Sequence, residues 1–297
     1  MKIQADCIPC LMKRALFQCR LDDRVDDYSA MEACAKAMAK ALGPDKTTSE
    51  VGTAVHEASY AKMLTEDPYK KIKVSADNIA DGLAMRAQSL VDNSENKFGM
   101  ALLIAAVGNI LDFGIDARTV DSPEDFGERF DAFMAEGLGL YDEELINSLL
   151  LGARRITYVF DNCGESQLDR ILIRELRKNG KHVIGVVRGK PIFNDVTKYD
   201  AERSGLAMDL DEIYDTGKFY VGVDWENIPE DTKNAVLSSD LIIMKGMANY
   251  ESASEKTLSV PVIHILRAKC VPVAKSVGVP QGTNAVFAVL NGRRMDR

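Results

Sequence analysis

Near residue 150 the pattern of the chain changes, and that change constrains the fold most. After Arg155, short apolar runs alternate with amphipathic segments: Ile156 to Phe160, Val183 to Val187, Leu241 to Met244 and Val262 to Leu266. Unbroken runs this short, bounded by polar turns and separated by helical stretches, are the mark of strands buried on both faces and joined in parallel by crossover helices. Between the first two, Leu168, Ile171, Leu172 and Leu176 recur at helical spacing and Gly180 closes the segment, which completes one βαβ unit.

From Asp6 to about Leu150 the chain reads instead as helix after helix, with few β-branched runs. Met31 to Leu42 is rich in Ala and Met and stops at Gly43-Pro44, while Phe98 to Leu111 is almost wholly apolar and suits a buried helix. No internal repeat, low-complexity tract or Gly/Ser linker is present. The expected organisation is a helical region over 1–150 and an α/β domain over 151–297, divided only by this change of pattern.

At 297 residues, 46% hydrophobic and 28% charged, the chain can bury a full core. Its formal net charge of -8 argues against the phosphate-neutralising surface of a nucleic-acid binder. An anionic ligand would need its charge offset locally, by a cation or a few basic side chains. No apolar run approaches the roughly 20 residues that span a bilayer, and Met1 to Arg20 lacks the apolar stretch of a signal peptide. A cytoplasmic protein with no membrane partner is expected, and its six scattered cysteines read as reduced thiols. Oligomeric state is open.

In open α/β sheets ligands bind beyond the carboxyl ends of the strands. Here the first run leads into Asp161-Asn162-Cys163-Gly164-Glu165, the second into Arg188, Lys190 and Asn194-Asp195, and the third into Lys245-Gly246. Asp161, Asn162 and Asp195 would form a hard, all-oxygen site of the kind that suits Mg²⁺ or Mn²⁺. Gly164 permits close backbone approach, and a helix starting near Glu165 would aim free N–H groups at an anion. The plainer alternatives are that Asp161 and Asp195 cap helices and Asn162 supports a turn. Lys245, directly after a buried strand, must turn back to solvent or enter a pocket.

These residues resemble the damage-control phosphatases: Asp161-Asn162-x-Gly164, Asn194-Asp195-Val196-Thr197, Lys245-Gly246-x-x-Asn249-Tyr250 and Gly108-Asn109-Ile110-Leu111-Asp112 look like four blocks of that family in the family's order, and Cys7-x-x-Cys10 looks like the opening of its stand-alone microbial branch. The resemblance implies a helical N-terminal region on a Rossmann-like three-layer α/β/α domain with a mainly parallel sheet. It implies hydrolysis of phosphomonoesters of small metabolites, such as sugar phosphates, with a divalent cation (Mg²⁺, Mn²⁺, Co²⁺ or Ni²⁺). Asp161, Asn162 and Asp195 match the metal ligands and Lys245 the phosphate-contacting lysine. Asn109 and Asp112 match a pocket-lining block, and Gly164, Gly246, Asn249 and Tyr250 fall in blocks expected to meet substrate. A carboxylate, Glu165 or Asp169, is the expected base, since none of the three histidines lies in a block, the alternative being that the metal alone lowers the pKa of the attacking water. The alternatives are a non-catalytic, metal-dependent binder of a phosphorylated metabolite and an S-adenosylmethionine-dependent carboxyl methyltransferase, although a glycine-rich first loop is absent.

Cys7 and Cys10 could be a redox pair, part of a zinc site with Cys19 and Cys34, or plain packing. Cys163 stands where a haloacid-dehalogenase phosphatase needs its second aspartate, and GxxxxGK[ST] and GxGxxG are missing. His56 and His182 read as surface or boundary residues, His264 as a core strand residue, and the acidic cluster Asp22 to Asp27 as a solvated turn.

Overall fold

The computed structural model describes residues 1–112 and 121–295. Its first part contains α1 (Cys7–Cys19), α2 (Asp27–Ala41), α3 (Thr48–Tyr60), α4 (Lys70–Asp92), α5 (Lys97–Gly108) and α6 (Pro123–Ala135), then a two-residue strand β1 (Leu140–Tyr141) and α7 (Glu143–Gly152). Short polar side chains start most of these helices by accepting a free backbone N–H: Asp26, Thr47, Asn96, Ser122 and Asp142 do so for α2, α3, α5, α6 and α7. Asp26 belongs to the acidic cluster, so part of that cluster is a helix cap.

The second part runs β2 (Arg155–Val159), α8 (Glu165–Lys178), β3 (His182–Val187), α9 (Lys198–Arg203), β4 (Glu212–Asp215), α10 (Glu230–Leu237), β5 (Leu241–Lys245), α11 (Gly246–Ala253), β6 (Val262–Arg267), α12 (Val271–Val277), β7 (Asn284–Leu290) and β8 (Arg293–Arg294). The sheet order is β1-β7-β6-β5-β2-β3-β4, with β8 on β7. β6, β5, β2, β3 and β4 are parallel, and they include all four of the apolar runs. β7 is antiparallel to β6 and parallel to β1, so the helical region itself supplies one strand.

Residue parity along the strands sorts the core into two faces. Ile156, Tyr158, Leu241, Ile243, Ile263 and Ile265 pack under α4, α5 and α8, through Ala76, Leu102, Val107, Leu168 and Leu172. The alternate positions Val159, Val186, Ile242, Met244 and Val262 face Val236 of α10 and Ala253 of α11. This gives helices on both sides of a mainly parallel sheet. β2 lies between β5 and β3, so the connection from β2 leaves one way while β5 enters from the other side, and the crevice at their carboxyl ends is the switch point where such sheets bind ligands.

Candidate active site

The loops after β2 and β3 are fastened to each other. Val196 N–H donates to Asp161 O at 2.8 Å and Cys163 N–H to Asn194 O at 2.7 Å. Asn162 and Asp195 form an antiparallel bridge between the loops. Asp161, Asn162 and Asp195 are thereby brought together, as the sequence pattern expects. Phe193, just before this pair, has φ 49°, a costly conformation for a bulky residue. It is pinned there by Tyr60, whose hydroxyl accepts its N–H at 2.9 Å, and by the Arg14 guanidinium stacked 3.7 Å over its ring.

A buried polar network lies beneath. The Asn109 amide nitrogen donates to Asp161 Oδ2 at 3.2 Å and to Glu165 Oε2 at 2.9 Å. The Asn162 amide nitrogen donates to Asp161 Oδ2 at 3.0 Å and Glu165 Oε2 at 2.9 Å. Both N–H groups of Asn162 are therefore committed, and its oxygen is the atom left for the cavity. Lys245 Nζ sits 2.6 Å from Glu165 Oε1 and 2.7 Å from Asp169 Oδ1, and donates to Ala105 O at 2.7 Å.

Above this network is a cavity of about 420 Å³ lined by Asp161, Asn162 and Asp195. One wall is a stripe of α1: Cys7, Cys10, Leu11 and Arg14 follow at helical spacing. Asp112, also on the wall, is held between Arg14 Nη2 at 3.0 Å and Lys269 Nζ at 2.9 Å. Burial pushes the Asp112 carboxyl up, but Lys269 and Arg14 outweigh it and hold it below its ordinary range. This triad carries one net positive charge beside the acidic floor. The opposite wall is α11, through Met247, Ala248 and Glu251. Cys270 completes a group of three thiols with Cys7 and Cys10, all pushed up in pKa by burial and so protonated near neutrality.

Several residues singled out in the sequence lie away from this cavity. Lys245, Glu165, Asp169, Asn109 and Asn249 are buried below it and do not line it. Lys245 shares the parity of Leu241 and Ile243, so it points under α5 and α8. The N–H of Gly164, at the start of α8, donates to Asp77 of α4 at 2.6 Å, so a protein carboxylate already occupies that helix end. Asn249 donates to Phe160 O and Lys245 O, tying α11 to the ends of β2 and β5. The Tyr250 hydroxyl pairs with Ser276 at 2.7 Å and lines a separate cavity with His264 and Phe287. Gly246, with φ 76°, packs directly on Asp161: a Cβ there would meet Oδ2 at 1.8 Å. Arg14, Glu251 and Lys269 enter the site without having been singled out, whereas Arg188 is the basic residue read directly after the second apolar run. A spacing signal existed for Arg14 only, since Cys7, Cys10 and Arg14 share one helix face.

The electrostatics of the floor fit a divalent cation. Burial, then Asp195 and Glu165, push the Asp161 carboxyl well above its usual range, and Asp195 is raised chiefly by burial. Arg188 answers part of this charge, its Nε 2.6 Å from Asp195 Oδ2 and its Nη2 3.5 Å from Asp161 Oδ1. Among the described residues, the ion-pair partners of Asp161, Glu165, Asp169 and Asp195 are Arg188 and Lys245, two cations for four carboxylates, with Arg14 acting on Asp195 from further off. Two carboxylate groups and an amide oxygen, all hard donors opening on one cavity, suit Mg²⁺ or Mn²⁺ better than a soft metal. Among the described residues no group of three His, Cys, Asp or Glu is gathered as a metal cluster, and a cation here would have to take its third donor from the Asn162 amide.

A fold with helices on both faces of a parallel sheet, and carboxylates at its switch point, places the chain in a recognisable class. The damage-control phosphatase ARMT1-like domain model matches residues 3–285. The chain belongs to that family. It is 32% identical to a damage-control phosphatase of Archaeoglobus fulgidus over 95% of this chain and 97% of the relative. It is 30% identical to an uncharacterized protein of Methanocaldococcus jannaschii over 96% of this chain and 95% of that one. The crystal structure of a DUF89 family protein from Pyrococcus horikoshii superposes with a TM-score of 0.85 at 27% identity, covering 99% of this chain and 100% of that one. Among the described residues no helix is long and apolar enough to cross a membrane.

Proposed function

We propose that this protein is a divalent-metal-dependent phosphatase acting on phosphomonoesters of small metabolites, sugar phosphates among them. The observation that carries the reading is the pairing, in one cavity, of an acidic oxygen-donor floor with the positively charged Arg14–Asp112–Lys269 wall.

Asp161, Asn162 and Asp195 would hold the cation, which when bound supplies Lewis acidity toward a phosphoryl oxygen and water. Arg14 and Lys269 would take charge on the phosphoryl oxygens, fixed in direction by their shared carboxylate partner. Arg188 orients Asp195 and offsets its charge. Asn109 and Lys245 act from below: they hold Glu165, which with Asn109 sets the orientation of the Asn162 amide and the Asp161 carboxylate. Glu165 and Asp169 do not line the cavity, so neither reaches a water in it directly, and both act by holding the residues above them.

The test is hydrolysis of p-nitrophenyl phosphate and a panel of sugar phosphates by chelator-stripped protein, with Mg²⁺, Mn²⁺, Co²⁺ or Ni²⁺ restored singly, beside Asp161→Ala. Metal-dependent turnover that the variant lacks is expected. Binding of a metal without turnover of any ester would move the assignment to a phosphorylated-metabolite binder.

A further inference from the structure

Resting on the phosphatase reading, we propose that Glu251 is the general acid that protonates the leaving-group oxygen.

Cleavage of a phosphomonoester leaves an alkoxide unless a proton reaches the departing oxygen, so the site needs a protonated group on the substrate-body side of the phosphoryl. With the phosphoryl held at the floor, the body of the substrate must extend along the cavity between α1 and α11. α11 starts at Gly246, in contact with the Asp161 carboxylate. Met247, Ala248 and Glu251 are the α11 residues that line the cavity, and the Glu251 backbone stands a rise of about 7.5 Å along the helix from Gly246. On this reading its carboxyl borders the path of the leaving group, further from the floor than the start of the helix.

No other cavity residue fits the task as well. Both Asp112 oxygens are tied to cations and its pKa is held low, so it stays ionised. The thiols of Cys7, Cys10 and Cys270 are held to their protons too firmly. Asp6 stands exposed at the rim. Glu251 is only 9% exposed, and among the described residues its carboxyl makes no hydrogen bond or ion pair, so its proton is free to be given away. The groups facing it are the Met1 ammonium, which donates to its backbone carbonyl, Arg14, Cys7 and Cys10 from α1, Asp112 after α5, and Cys270 before α12. Burial raises its pKa to about 7 against the pull of the Met1 ammonium and Arg14, the range in which a group serves as acid at neutral pH.

In the step, the oxygen of water forms a bond to phosphorus while the ester P–O bond breaks and its electron pair passes to the leaving oxygen. That oxygen takes the Glu251 proton. One water proton remains on the phosphate product and the other passes to solvent, from which the Glu251 carboxylate is reprotonated.

The experiment compares the metal-loaded full chain with Glu251→Gln on p-nitrophenyl phosphate and on phenyl phosphate, whose leaving group is far more basic. We expect kcat to fall about 100-fold or more on phenyl phosphate and less than about threefold on p-nitrophenyl phosphate, which departs without a proton and whose turnover also reports a folded site. Wild-type kcat on phenyl phosphate should decline as pH rises through about 7, and that limb should vanish in Glu251→Gln. Equal losses on both esters, or no loss on phenyl phosphate, would overturn the assignment. If wild-type protein turns over neither of these esters nor any sugar phosphate of the panel, the phosphatase reading itself falls and takes the proposal with it.

Discussion

Lys245 Nζ lies 2.6 Å from Glu165 Oε1, and neither side chain has any solvent exposure. A charge buried this deeply is tolerated because it is paired: the same ammonium meets Asp169 and a helix carbonyl, so all three of its protons have acceptors. Removing it would strand two carboxylates. Lys245→Met is therefore expected to cost about 3–5 kcal/mol of stability, measured by urea denaturation. The surviving folded enzyme should lose kcat through misplacement of Glu165 and Asn162. A lysine that gripped the phosphoryl directly would instead raise KM and leave the denaturation midpoint nearly unchanged.

Gly246 is the narrowest point of the design. Its φ of 76° disfavours any side chain, and the Cβ of an alanine would overlap Asp161 Oδ2. Gly246→Ala should displace the Asp161 carboxylate and reduce kcat/KM by about 100-fold or more, since misplacement of about 1 Å at a reacting centre can cost that much. Mn²⁺ titration calorimetry should show weaker binding as well. Unchanged metal affinity and activity would mean that Asp161 takes no part in the site.

The acidic floor implies a trade between stability and function. Asp161 is a desolvated carboxylate beside two others, and its raised pKa expresses that strain. In chelator, Asp161→Asn should be more stable than wild type by about 1–2 kcal/mol, because it keeps the shape and removes the charge conflict. Added Mn²⁺ should reverse the order, since a ligand at 100 times its Kd stabilises the wild type by about 2.7 kcal/mol and the variant by little. Thermal melts of both proteins with and without metal decide the matter.

The strands at the centre of the sheet were legible because β2, β3, β5 and β6 are buried on both faces and so leave unbroken apolar runs. The edge was not: β4, Glu212–Asp215, is half-exposed and carries charge at both ends, and β1 and β8 are two residues long. β7 did leave a run, Ala285 to Leu290, but it returns antiparallel and falls outside the βαβ rhythm. In the site, ligand-type residues after strands could be read from position. What could not be read was which neighbours would be consumed by packing: Gly164 N–H by Asp77 and Lys245 by Glu165 and Asp169. Lys269 is an ordinary basic residue in sequence, and only the meeting of distant loops makes it part of the cavity.

His264 gives the fold a defined acid limit. It sits inside β6 with its ring edge-on to Tyr250 at 5.2 Å, its Nδ1 is buried without a hydrogen-bond partner among the described residues, and burial lowers its pKa to about 3. The unfolded chain would hold a proton there below about pH 6.5. Between the two values the unfolded state binds a proton that the folded state does not. The stabilising contribution is therefore intact above about pH 6.5 and is lost as pH falls toward 3. His56, lowered well below its ordinary value by burial and then by Arg14, acts in the same direction. His264 should add a slope of about 1.4 kcal/mol per pH unit to the stability between about pH 4 and 6, and His56 contributes with the same sign. His264→Phe, which keeps a ring against Tyr250 and Phe287, should flatten that slope by one proton's worth in urea denaturation at pH 4.5, 5.5 and 7. Parallel slopes for variant and wild type would show that His264 already carries its proton in the folded protein.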